Sequence, residues 1–285
     1  MPKPVIKWAG GKRNIMPLLT KMITEKANGK NAFYDGFGGG ASVSIEMAKY
    51  FSKVIYNEKN VEITSMYEVV RDNPTELINK LKEAEKNNSK EYFLKIRAWD
   101  RKHNFESIDK VSKAMRTIYL NKVCFNGLYR VNLKGQFNVP YGTYKNPTIC
   151  DEQNIYDLSE LFNTKIEIFA EDYWTSIHRT VQPNDVVYFD PPYDQIHSES
   201  FIAYNNDRFG VQEQTRLRDY MMELTNCGVY VVQSNSSTPR MRDYYSNYIN
   251  ERSFIEVRRM IGASLKSRKP IDELLFNNYK AVENL

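Results

Sequence analysis

The stretch Val186-Val187-Tyr188-Phe189-Asp190-Pro191-Pro192-Tyr193 sets an acid, a proline pair and an aromatic ring directly after a run of β-favouring residues. An aspartate carboxylate and a neighbouring backbone carbonyl can together accept both hydrogens of an exocyclic amino group. The ring of Tyr193 offers a face on which the attached base can stack. Each proline fixes φ and lacks an N–H, so the carbonyls of this turn are not drawn into a ladder and can face a ligand. Asp190, Pro191, Pro192 and Tyr193 are therefore candidates for the capture of a nucleobase amine. The alternative is an ordinary Pro-Pro turn with Asp190 solvated and Tyr193 packed.

Two further segments have residue types that suit a nucleoside. In Lys7-Trp8-Ala9-Gly10-Gly11-Lys12-Arg13 a glycine turn gathers a tryptophan and two lysines, a setting for something flat and something anionic. It is not a Walker loop, because Ile6 occupies the place of the first glycine and Arg13 replaces Ser or Thr. The segment from Ala32 to Met47 reads as strand, glycine loop and helix, with bare backbone at Gly38, Gly39 and Gly40 and free N–H groups at the helix start. It departs from G-x-G-x-x-G at Ala41. A second strand over Lys53 to Tyr56 leads to Glu58, about 20 residues past the loop, where nucleoside-binding α/β folds place an acid against ribose hydroxyls. The pattern predicts a βαβ start that binds a nucleoside without a pyrophosphate.

The elements that must position these groups follow from periodicity. A helix is expected over Asn14 to Lys26, and amphipathic helices without strand alternation from Val61 to about Tyr119. The basic residues Lys95, Arg97, Arg101 and Lys102 of that block read as a solvated face. From Tyr119 to Lys145, Asn-Gly and Lys-Gly turns punctuate alternating polarity and predict a β-hairpin. Its Asn126, Arg130, Asn132, Tyr129, Tyr144 and Lys145 are donors and rings of the kinds that read base edges, grip phosphates and stack. A helix near Glu152 to Phe162, a strand over Lys165 to Phe169 and the central strand Val186 to Phe189 resume the sheet. A polar loop at His197 to Asn206, a helix at Gln212 to Met222, a strand at Val229 to Gln233, a basic loop at Met260 to Pro270 and an edge strand at Asp272 to Asn277 complete the reading.

The chain of 285 residues is long enough for one large α/β domain with an insertion. Its net charge of +5 and its abundance of tyrosine, Tyr 20 against Phe 14, fit a surface that meets nucleic acid. Cys124, Cys150 and Cys227 lack CxxC spacing, so neither a zinc site nor a disulfide framework is indicated. His103, His178 and His197 show no ligand spacing, and no metal is expected. No apolar run approaches a membrane span and the N-terminus lacks a signal-peptide core, which predicts a cytoplasmic protein.

Taken in order, Lys7 to Lys12, the loop after Phe33-Tyr34-Asp35, Asn126-Gly127-Leu128-Tyr129-Arg130 with Phe137-Asn138-Val139-Pro140, Asp190-Pro191-Pro192-Tyr193, and Arg258-Arg259 with Asp272-Glu273-Leu274-Leu275 resemble the Dam-type DNA adenine-N6 methyltransferases over nearly the whole chain. The resemblance implies a Rossmann-like class I methyltransferase sheet, formed by residues 1–60 and 165–285, with an inserted helical and β-hairpin DNA-recognition domain at 61–164. It implies S-adenosylmethionine as methyl donor, double-stranded DNA as partner, and no obligatory protein partner. Carried over by position, Trp8, Lys12, Asp35, Phe37, Gly39, Glu58, Asp172, Tyr173 and Asp190 would serve the cofactor. Lys7, Leu128, Arg130, Pro140 and Tyr144 match positions the family uses to read GATC, and Phe125 one that wedges into the duplex where the target adenine leaves. Gly36 replaces the family's usual proline, Ala41 a glycine and Glu58 a common aspartate, which bears on the fit of the cofactor. The competing readings are an RNA N6-adenine methyltransferase, whose turn commonly carries Asn in place of Asp190, and a catalytically inactive DNA-binding relative, in which the turn would have decayed.

Overall fold

The computed structural model describes residues 2–28, 31–193, 209–246, 255–261 and 269–279. In chain order the elements are α1 (Met16–Thr24), β1 (Phe33–Asp35), α2 (Ser42–Met47), β2 (Val54–Asn57), α3 (Val61–Asp72), α4 (Pro74–Lys86), α5 (Lys90–Arg97), α6 (Lys110–Val123), α7 (Glu152–Thr164), β3 (Ile166–Phe169), α8 (Tyr173–His178), β4 (Val186–Phe189), α9 (Val211–Asn226), β5 (Tyr230–Ser236), α10 (Pro239–Ser246), β6 (Ile255–Ile261) and β7 (Lys269–Asn277). Hydrogen-bonded strand neighbours run in the order β3-β2-β1-β4-β5-β7-β6. This is a mixed α/β fold of Rossmann-like type. The polar loop expected at 197–206 lies outside the described residues.

By compactness the chain falls into two units. One comprises Met1–Arg13, Gly38–Lys49 and Ile55–Asp172, the other Asn14–Phe37, Tyr50–Val54 and Tyr173–Leu285. In the second unit β1 and β4, and β4 and β5, pair in parallel. Every residue of β1 and β4 is buried, as strands covered on both faces require, and so β4 reads as a continuous apolar run while β1 ends in the buried Asp35. Asp185 ties the pair together at its start, its carboxylate accepting from Ala32 N and Gln182 N at 2.8 Å each. β7 runs antiparallel to β5 on one side and to β6 on the other. The expectation that the segment from Asp272 to Asn277 forms an edge is thus corrected. The reason is β6, which pairs Arg258 with Asp272 and Ile261 with Lys269. This pairing also turns both ends of the expected basic loop into strand, while residues 262–268 lie outside the described ones.

The first unit is built on helices whose starts are written in the sequence. Asn60, Ser89, Asp109 and Asp151 each accept a backbone N–H of the first turn, of α3, α5, α6 and α7 respectively. α3 packs on α6 and α7, and α4 on α6. The hairpin expected from Tyr119 to Lys145 is corrected in detail. Tyr119 to Val123 belong to α6, and the chain reversal beyond it is pinned by isolated bridges, Cys124 with Tyr141 and Val131 with Phe137, and not by a ladder. Backbone bonds join the two arms, from Phe125 N to Pro140 O, Asn132 N to Gln136 O, Asn138 N to Arg130 O and Gly142 N to Val123 O, and side chains add to them. Arg97 donates to Val139 O at 3.2 Å, Arg101 to Phe137 O at 2.7 Å, and Asp100 accepts from Phe137 N at 2.8 Å. Arg97 and Arg101, expected on a solvated face, therefore hold the reversal in place.

Candidate active site

In the first unit the glycine loop is shaped by what packs against it. A Cβ on Gly39 would lie 2.6 Å from the Trp8 indole nitrogen, one on Gly40 2.7 Å from Trp8 Cβ, and one on Gly38 2.3 Å from the Tyr56 ring. Trp8 also meets Tyr129, with ring centroids 5.4 Å apart. The carbonyls of Gly39 and Gly40 accept the hydroxyls of Tyr56 and Tyr67 at 2.7 Å each. Glu58, just past β2, accepts from Gly39 N at 2.9 Å and from Asn60 N at 2.8 Å. Burial raises its carboxyl above the ordinary glutamate value, partly offset by the two backbone N–H bonds. The structure thus brings Trp8, Gly39 and Glu58 together. Lys12 is buried in the same unit and Asp172 half-buried after β3.

The residues expected to face DNA in this unit divide into presented and engaged groups. Lys7 is exposed, with Nζ 4.5 Å from the Tyr144 ring centroid and donating to its hydroxyl at 3.2 Å. The backbone of Lys7 is clamped by Asn121, a residue the sequence reading passed over. Its Oδ1 accepts from Lys7 N at 2.7 Å, and its Nδ2 donates to Lys7 O at 2.8 Å and Gly127 O at 3.0 Å. The one available signal was an amide in the last turn of an amphipathic helix, between Leu120 and Lys122. Phe125 and Asn126 are exposed, and Asn126 takes a positive φ of 55°. Leu128 is half-buried, and Pro140 is exposed with its carbonyl accepting from Phe125 N at 2.9 Å. Arg130 is exposed and aimed by Asn138, whose Oδ1 accepts from its Nε at 2.6 Å. Asn132 spends its side chain within its own turn, on Lys134 N, Gln136 N and the Gln136 amide.

In the second unit β1 delivers Asp35 and β4 delivers Asp190. Gly36 N donates to Tyr188 O at 3.0 Å, and a Cβ at Gly36 would come 2.9 Å from the Phe189 ring. A proline at this position could not make that bond. Phe37 packs against Tyr173, Phe189 and Phe209 at centroid distances of 5.0, 6.2 and 5.5 Å. Beyond β4, Asp190 is half-buried, Pro191 buried, Pro192 exposed and Tyr193 half-buried. The Tyr188 hydroxyl meets Ser234 Oγ at 2.6 Å, and the Tyr193 hydroxyl donates to Glu273 Oε1 on β7. Burial, then the charges of Asp190 and Glu273, hold the Tyr193 phenol well above its ordinary value, so it remains a neutral donor. Asp35, Asp190 and Glu273 likewise all bear on Tyr188. Glu273, read in the sequence only within the segment Asp272-Glu273-Leu274-Leu275 and with no role of its own, is a second functional candidate.

A conserved-sequence model described as D12 class N6 adenine-specific DNA methyltransferase matches residues 8–261. The chain is 40% identical to the Type II methyltransferase M1.LlaDCHI of Lactococcus lactis subsp. cremoris over 97% of this chain and 95% of that one. It is 35% identical to the Type II methyltransferase M.MjaIII of Methanocaldococcus jannaschii, with 97% and 99% covered. It is 31% identical to the DNA adenine methylase of Escherichia coli, with 95% and 93% covered. With the acid-Pro-Pro-Tyr turn at the end of a buried strand and the match running from Trp8 into β6, the chain belongs to the D12 class N6 adenine-specific DNA methyltransferases.

Proposed function

We propose that this enzyme methylates N6 of an adenine in double-stranded DNA, at GATC, with S-adenosylmethionine as donor, after the target base has left the helix. The observation that carries the reading is the turn from Asp190 to Tyr193, set at the end of the fully buried β4. Asp190 and the Pro191 carbonyl accept the two N6 hydrogens and draw the nitrogen lone pair out of conjugation, while Tyr193 stacks on the purine. An adenine inside a duplex is out of reach of such a turn, so extrusion at about a few kcal/mol is part of the reaction. Relatives named Type II methyltransferase and DNA adenine methylase support DNA as the substrate. Intact Asp190, Pro191, Pro192 and Tyr193 favour the enzyme over an inactive relative, and Asp at 190 favours DNA over RNA.

The chemistry of the donor set fits the cofactor. Glu58 has two carboxylate oxygens and gives one bond on each to backbone N–H, which leaves acceptor capacity for a pair of ribose hydroxyls. Trp8, Lys12, Asp35, Phe37, Gly39, Asp172, Tyr173 and Asp190 are the other residues assigned to it. When bound, the cofactor supplies an electrophilic sulfonium methyl. We assign residues 61–164 as the recognition domain, with Lys7, Leu128, Arg130, Pro140 and Tyr144 reading the sequence, Phe125 wedging the duplex, and Asn126 and Asn132 beside them. The test is the mapping of methylated adenines in DNA from cells that express the wild-type protein or Asp190→Ala. Methyl-adenine confined to GATC in the first and absent from the second is expected. Methylation by Asp190→Ala, or none at adenine in duplex DNA with the wild type, refutes the reading.

A further inference from the structure

Glu273 is 1% exposed, on a strand whose following residues Leu274, Leu275 and Phe276 are buried and apolar on both faces. A carboxylate in such a place is costly unless its oxygens are used. One use is visible, since Glu273 Oε1 accepts the Tyr193 hydroxyl from a residue 80 positions earlier in the chain. The register accounts for the meeting. Glu273 stands opposite Ser236 and Leu275 opposite Ser234, and the Ser234 hydroxyl meets Tyr188, two residues before Asp190. The backbone of the turn is already fixed by Pro191 and Pro192. The freedom left to Tyr193 is the swing of its side chain about Cα–Cβ, and a hydrogen bond at the phenolic oxygen, the far end of that lever, restrains it.

We propose that Glu273 is a positioning residue for methyl transfer, holding the Tyr193 hydroxyl so that the ring presents its face beside Asp190 before the adenine arrives. This rests on the reading of the Asp190 turn as the site of amine capture. Without the anchor the base still binds, but its nitrogen is presented over a wider range of angles, and such misplacement is expressed in the rate more than in binding.

The test measures kcat and KM for duplex DNA carrying the sequence that the wild type methylates, together with S-adenosylmethionine affinity by dialysis. Glu273→Leu and Tyr193→Phe are each expected to lower kcat by about tenfold or more, with KM and cofactor affinity within about twofold of wild type. Glu273→Gln keeps an acceptor oxygen and recovers most of the loss. The double variant Tyr193→Phe/Glu273→Leu is no slower than the slower single, because both break one contact. A wild-type kcat in Tyr193→Phe or Glu273→Leu, a double variant that loses the product of the two factors, or Glu273→Gln as slow as Glu273→Leu overturns the role. If Glu273→Leu does not fold, Tyr193→Phe and Glu273→Gln decide by themselves. Asp190→Ala, assayed in parallel, separates the two inferences. An active Asp190→Ala removes the site reading, whereas an inactive one beside a fully active Glu273→Leu removes only the positioning role.

Discussion

Asn121 places three hydrogen bonds on two separated stretches of backbone, at Lys7 and at Gly127, from a side chain only 1% exposed. Removing it leaves the Lys7 N–H and two carbonyls without their partner, at a cost of about 1–3 kcal/mol. Asn121→Ala is therefore expected to lower stability by that order in chemical denaturation. Asn121→Asp is expected to cost more, since its second oxygen would face carbonyls that now receive a donor. An Asn121→Asp protein as stable as Asn121→Ala would show that the clamp is not as described. Glu58 makes a prediction of a different kind. Its carboxyl is raised in the fold chiefly by burial, so the fold favours the protonated form. Its contribution to stability is then fully present below the unfolded value and is lost as pH rises through the folded one. Its proposed role on the ribose hydroxyls has the opposite sign, because acceptor capacity falls on protonation. Titration calorimetry should find cofactor affinity weakening with acid from a pH at which an ordinary glutamate is still ionised, and this slope should vanish in Glu58→Gln. An unchanged slope in that variant would remove Glu58 from the cofactor site.

The loop between β1 and α2 turns on Ala41, which caps α2 at a φ of 61° while fully buried. A left-handed conformation costs an alanine roughly 1–2 kcal/mol that glycine does not incur. Set against the extra chain entropy of glycine, Ala41→Gly is expected to gain about 1 kcal/mol in denaturant unfolding. A loss of stability would mean that the Ala41 methyl packs better than its strain costs. The neighbouring glycines behave in the reverse way. Gly40→Ala drives its methyl into Trp8 Cβ at 2.7 Å, and is expected to weaken the cofactor as well as the fold. These elements were legible in the sequence because local rules govern them. β4 announces itself as an apolar run, and the helical spacing of apolar residues after Asn14 and Val61 announces α1 and the helices from α3 to α6. The segment after α6 was not legible as it stands, because turn signals at Asn126-Gly127 suggest a regular ladder, while the reversal is held by isolated bridges, scattered backbone bonds and the side chains of Arg97, Asp100 and Arg101. Contacts such as Tyr193 with Glu273 or Asn121 with Lys7 join distant parts of the chain, and no spacing encodes them.

For the whole molecule, the proposed function assigns the finding of DNA to the balance of charge and the choice of DNA to a few placed residues. The net charge is +5, from 40 Lys and Arg against 35 Asp and Glu, so the general attraction to a duplex is modest and mixed in sign. Each phosphate neutralised contributes about −0.9 to the slope of log affinity against log salt. Lys134 is exposed in the turn whose N–H groups Asn132 holds, and it is a candidate for one such contact. Lys134→Ala is expected to reduce the slope by about 1 and to weaken cognate and non-cognate duplexes alike. Arg130 is exposed but oriented by Asn138, a geometry suited to a base edge. Arg130→Ala is expected to narrow the gap between GATC and single-base variants by about 1–3 kcal/mol at a fixed salt concentration, with less effect on the slope. Fluorescence anisotropy on the same duplexes across a salt series measures both quantities. If Arg130→Ala leaves discrimination untouched while lowering the slope by a full phosphate, Arg130 grips the backbone, and the base-reading role proposed for it falls.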